Sequence, residues 1–176
     1  MVVGEGRSQG RWEPNVLPFS HFYKSRNNMT ANNLLNELIE LNNDRIAGFE
    51  KVLADIDDEN IDLKEIFQEF AAQSRRFSQE LTAVVASRDG EPETDNSVAG
   101  SLHRAWIDVK SLFGGSDRAS ILSEAERGED TIKKAYSSVL EQGRLDGEAL
   151  QIVSSQSTAI NRAHDTIKAL RDMAKQ

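Results

Sequence analysis

Four stretches of this chain set apolar residues three and four apart, and each of these seams is broken near its middle by one polar residue. In the first, Leu35, Ile39, Ile46, Phe49 and Leu53 flank Asn42; in the second, Leu63, Phe67, Phe70, Phe77, Leu81 and Val84 flank Ser74. The third seam runs Leu122, Ala125, Glu129, Ile132, Tyr136 and Val139; the fourth runs Leu150, Val153, Ser157, Ile160, His164 and Ile167. Residues so spaced stack on one face of a helix, so the pattern predicts helices over 31–54, 63–87, 117–142 and 147–174. Helices that each carry one apolar stripe bury it against one another, which makes the fold all-α.

The punctuation between the helices sets their order in space. DIDDEN (55–60) is short, so the first two helices form an antiparallel hairpin, with Asp62 and Glu65 expected as N-cap and N3 pair of the second. RDGEPETDNS (88–97) is a polar break, and a shorter amphipathic helix is predicted over 97–113, carrying Val98, Leu102, Trp106, Val109 and Phe113. Gly114-Gly115 ends it, Ser116 or Asp117 can cap the third long helix, and Gly143 closes that helix. Two helices, a long crossover and two more helices is the connectivity of a ferritin-like antiparallel four-helix bundle. The crossover then returns the chain so that the third helix starts at the same end as the second. The heptapeptides ELNNDRI (40–46) and ERGEDTI (126–132) lie 86 residues apart, as in a duplicated helix pair.

Composition narrows the function. The chain has no cysteine, which removes disulfides, thiolate metal sites and thiol nucleophiles. Its formal charge of −8 argues against nucleic acid or an anionic membrane as partner, since both reward basic surfaces. No apolar run approaches the roughly 20 residues of a membrane span, and residues 1–28 hold no continuous apolar stretch for a signal peptide. The expected setting is a bacterial-type cytoplasm. Residues 1–28 differ from the rest: they lack periodicity and carry a net +2, leaving −10 for the remainder. The expectation is a disordered tail over 1–30, with Met29 as the true start of translation, followed by a bundle over 31–176.

The fold invites a dimetal centre at the polar layer. Such a centre needs a carboxylate from each of two helices and a Glu-x-x-His pair from each of the other two. Three residues before His21, His103 and His164 stand Pro18, Gly100 and Asn161, so the chain contains no such pair. The second helix offers Gln73 and Arg76 where the motif would fall, and an arginine repels a cation. Glu129 and Tyr136 do keep the Glu-x6-Tyr spacing of many ferritin-like helices, whereas the first helix has Asn42 and Phe49 at the matching positions. The favoured reading is therefore a buried, hydrogen-bonded polar layer with no metal or other cofactor. It comprises Asn42, Gln73, Ser74, Arg76, Glu129, Tyr136, Ser157 and His164, with Arg45, Arg127 and Gln156 as further partners for Glu129. Glu40, Asp44, Glu126 and Asp130 occupy matching places in the two half-repeats and can flank it. Gly-x-x-x-x-Gly-Lys and Gly-x-Gly-x-x-Gly are both missing, and His164-Asp165 is a poor base and orienter because neighbours on a helix point about 100° apart.

From Asn33 onward the chain resembles the bacterial proteins of domain-of-unknown-function family 2383. The resemblance is carried by LNELIELNNDRIAGFEKV (35–52), SVAGSLHRAWIDVKSL (97–112), AERGEDTIKKAY (125–136) and AHDTIKALRDMA (163–174). It implies a ferritin-like four-helix bundle and brings no substrate, cofactor or catalytic residue. The expected function is non-catalytic, structural or protein-interacting, in a cytoplasmic and stress-related setting. The alternative is a metal-binding or degenerate di-iron oxidoreductase-like protein using Glu129, Tyr136 and His164. Leu102, Trp106 and Val109 form the candidate surface for a protein partner or a second copy; the plainer reading of that stripe is cover for the bundle.

Overall fold

The computed structural model describes residues 30–94 and 117–176. The tail and the stretch expected to form a short crossover helix, with Leu102, Trp106 and Val109, lie outside the described residues. Within them are four long helices and no strand: α1 (Ala31–Asp55), α2 (Ile61–Ser87), α3 (Arg118–Glu141) and α4 (Gly147–Ala174), with a 3-10 turn at Asp58–Asn60.

The helix ends follow local chemistry. Thr30 caps α1 by accepting from the Asn33 amide at 3.2 Å, and Asp117 caps α3 by accepting from the Ser120 amide at 3.3 Å. The start of α2 departs from expectation. Asn60 is its N-cap without a side-chain cap bond: its Oδ1 accepts from Arg118 Nη1 at 3.4 Å, and its Nδ2 donates back to Asp57 across the 3-10 turn at 3.0 Å. Asp62 consequently lies inside the first turn and binds Arg118, and Glu65 is exposed. The C-terminus of α2 is a Schellman motif: the Gly90 amide donates to Val85 O at 3.0 Å and the Asp89 amide to Ala86 O at 3.2 Å. Asp89 takes the left-handed position, with φ 56°.

Helix α1 packs along α2 and α3 along α4, while α1–α3 and α2–α4 contacts close the square. Asn42 and Arg45 of α1 meet Tyr136 and Glu129 of α3 in reverse order, so α1 and α3 are antiparallel. Phe49 stacks on Phe67 with centroids 5.3 Å apart while Asn43 binds Ser78, so α1 and α2 are antiparallel as well. It follows that α2 and α3 run parallel. A short loop cannot connect two parallel helices, since the chain must return along the length of the bundle, which accounts for the long stretch between them.

The second and third seams are buried at every position. Burying a Leu, Ile or Phe side chain is worth about 1.5–3 kcal/mol, so these stripes hold the bundle together. Elsewhere the expected seam is corrected. Ile46 and Leu53 are only half-buried, and Leu150 is 41% exposed while Ala149 takes the inner position at 1%. The buried residues of α4 are Ala149, Val153, Gln156, Ser157, Ile160, Ala163, His164 and Ile167.

Candidate functional site

At mid-height the helices surround one buried ion pair. Arg45 and Glu129 are both fully buried, and they meet as a fork: Nε donates to Oε1 at 2.6 Å and Nη2 to Oε2 at 3.0 Å. The remaining nitrogen, Nη1, donates to Ser74 Oγ at 2.9 Å, Gln73 Oε1 at 3.0 Å and Phe70 O at 3.3 Å. The Arg45 Cζ also lies over the rings of Phe49 and Phe70, 5.3 and 5.4 Å from their centroids. A charge taken from water into a core is tolerated only when it is paired and hydrogen-bonded, and this arrangement supplies both conditions.

A second chain of hydrogen bonds runs beside the first. Asn42 lies one turn before Arg45 on α1; its Nδ2 donates to Leu38 O and to Tyr136 Oη, both at 2.8 Å. The Tyr136 hydroxyl donates to Gln156 Oε1 at 2.8 Å, and Gln156 Nε2 donates to Glu80 Oε2 at 2.7 Å and Phe77 O at 3.4 Å. All four helices thus contribute to the layer. Burial pushes the Tyr136 phenol well above its usual range, against the smaller opposing effects of the Asn42 hydrogen bond and the Arg45 charge. Asn42 Oδ1 is buried and has no hydrogen-bond partner among the described residues.

Asn42, Gln73, Ser74, Glu129 and Tyr136 therefore lie in one layer, in two hydrogen-bonded chains side by side. Three of the candidate residues are placed elsewhere. Arg76 is exposed, because two residues past Ser74 is about 200° around the helix. Ser157 is buried at 8%, yet none of the layer's hydrogen bonds reaches its hydroxyl; Gln156 occupies that level instead. His164 is buried at 5% but turned toward the α3–α4 surface, with Nε2 at 3.1 Å from Asp130 Oδ1 and Nδ1 at 2.9 Å from Asp165 Oδ1. The imidazole holds the Asp165 carboxyl below its usual value. Of the further partners considered for Glu129, Arg45 takes that role. Arg127 is exposed and pairs with Glu124.

Two members of the layer were not visible as such in the sequence. Gln156 is in the sequence only one of several candidate partners for Glu129, and Glu80 carries no signal there; Gln156 joins Tyr136 to Glu80 through contacts that a single sequence does not reveal. Among the flanking acids, Asp44 is buried at 3%, Glu126 at 8% pairs with Arg171, and Asp130 pairs with His164. Glu40 is half-buried near Glu93 and Glu37, and burial followed by those charges raises its pKa.

A dimetal centre does not fit these residues. The layer turns one carboxylate, Glu129, inward and fills the space against it with a guanidinium. Among the described residues no group of three or more His, Asp or Glu side chains is placed to hold an ion.

The chain belongs to the family described as Domain of unknown function (DUF2383), whose model matches residues 30–142. That span takes in α1, α2 and α3 and so includes Arg45, Glu129 and Tyr136; Gln156 and His164 of α4 lie beyond it. No curated protein matches the chain.

Proposed function

We propose that this member of the DUF2383 family is a non-catalytic, ferritin-like bundle protein with a structural or protein-interaction role. Its setting is the cytoplasm, where it acts in a stress-related context with a protein partner or a second copy of itself. The ferritin-like reading is supported by the parallel α2 and α3, which one long crossover connects. The non-catalytic reading is carried by one observation: the inward carboxylate at the bundle centre is already neutralised by Arg45. Among the described residues no helix is long and apolar enough to cross a membrane.

The competing reading is a metal-binding or degenerate di-iron protein built on Glu129, Tyr136 and His164. It draws less support, because His164 faces Asp130 and Asp165 rather than Glu129. Metal analysis of the purified protein, followed by melts with added Fe(II), Mn(II) or chelator, separates the two. A ligand that binds only the folded state raises its stability. The proposal expects melts that none of these additions moves. Iron retained in stoichiometric amount at the core would overturn it.

A further inference from the structure

We infer that the shell around Arg45 is a guanidinium receptor, which would take up a free guanidinium from solution once the Arg45 side chain is removed. This deepens the non-metal reading above and rests on it.

The argument is one of shape. A guanidinium is flat and presents its N–H donors around the edge of its plane, with two apolar faces. The shell meets the edge with acceptors and sets aromatic carbon against the cation. Around the edge stand the two Glu129 oxygens, Ser74 Oγ, Gln73 Oε1 and Phe70 O, at 2.6 to 3.3 Å. The rings of Phe49 and Phe70 take the cation–π contacts, at 5.3 and 5.4 Å. A divalent transition ion needs several carboxylate or imidazole ligands arranged in three dimensions. This shell has one carboxylate, two neutral side-chain oxygens and one carbonyl, and it gives part of its surface to aromatic carbon. An ammonium lacks the two-pronged edge that Glu129 receives. The fixed cation also ties α1 to α3 across the two hairpins, since Arg45 and Glu129 are 84 positions apart.

The test is chemical rescue in the full-length protein. Arg45→Ala removes the cation and leaves the shell, so its melting temperature should fall by several degrees. Methylguanidinium chloride at about 20 mM, far below denaturing concentrations, should restore at least half of that loss. Equal concentrations of NaCl, methylammonium, Mn(II) or Fe(II) should not. In Arg45→Ala/Glu129→Gln the rescue should disappear, because the charged fork is gone. Should Arg45→Ala not fold alone, the gain of helical circular dichroism on adding methylguanidinium reads the same binding. Rescue by methylammonium or a divalent ion to the same extent, or no response in either measurement, overturns the inference. Failure here with a metal-free wild type leaves the proposed function standing, whereas iron bound at the wild-type core removes that reading itself.

Discussion

Arg118, the first residue of α3, grips Asp62 in the first turn of α2 with two hydrogen bonds of 2.8 and 2.6 Å. The pair joins the N-terminal ends of two helices, and so marks α2 and α3 as parallel. Both side chains are substantially solvated, so the pair contributes at most about 1 kcal/mol. Its pH dependence has a definite sign. The Arg118 hydrogen bonds lower the Asp62 pKa in the folded state. The contribution is therefore complete above the unfolded value near 4 and is lost as pH falls through the lowered folded value. Asp62→Asn should leave a protein slightly weaker at neutral pH and equal to wild type in strong acid. Urea melts at a series of pH values check this, and a constant gap between the two proteins would refute it.

The buried ion pair should respond very differently to single and double substitution. Arg45→Met or Glu129→Met strands one charge inside the core and should cost about 3–5 kcal/mol. Replacing both by methionine removes the stranded charge and should return stability to near the wild-type value or above it. Urea denaturation of the four proteins gives the coupling. Additive losses would show that the two residues do not share one environment.

Tyr136 bridges Asn42 and Gln156 through one hydroxyl. Tyr136→Phe leaves two buried amides each short of a partner, at a cost of about 1–3 kcal/mol. The alkaline behaviour follows from the raised phenol pKa. The folded state keeps its proton, so stability is intact below the unfolded value near 10 and falls as pH rises beyond it. In a Tyr23→Phe background, near-ultraviolet absorbance should record phenolate only as the helices melt. Phenolate appearing in the folded protein near pH 10 would show a hydroxyl open to solvent.

The end of α2 offers a paired test of backbone geometry. Asp89 holds a left-handed conformation that glycine adopts without strain, so Asp89→Gly should stabilise by about 1 kcal/mol or less. Gly90 is closely packed: an added Cβ would meet Asn32 Nδ2 at 2.6 Å, Val85 Cγ1 at 2.7 Å and Val85 O at 3.0 Å. Gly90→Ala should therefore destabilise by about 1–3 kcal/mol. Thermal melts of both variants suffice, and shifts of the same sign would contradict the Schellman arrangement.

The error on α4 shows where periodicity stops being informative. Two interleaved stripes share Val153, Ile160 and Ile167; one adds Leu150, Ser157 and His164, the other Ala149, Gln156 and Ala163. Both have helical spacing, and the larger residue Leu150 favours the first. The bundle buries the whole second stripe and leaves only Leu150 of the first exposed, because Ala149 faces the other helices and Gln156 finds Tyr136. A residue's own hydrophobicity cannot reveal the space its neighbours leave.

From its sequence alone, this protein's helices, their hairpin pairing and the depth of the polar layer were legible, because each follows from spacing and capping within some twenty-five residues of chain. The partner of each buried polar group was not. Arg45 was one of several cations that could have met Glu129, and only the antiparallel packing of α1 on α3 brings its guanidinium edge onto that carboxylate. Hydrogen bonds fall off within a fraction of an ångström and depend on direction, so they are decided by the packing of whole helices and not by the order of residues along one of them.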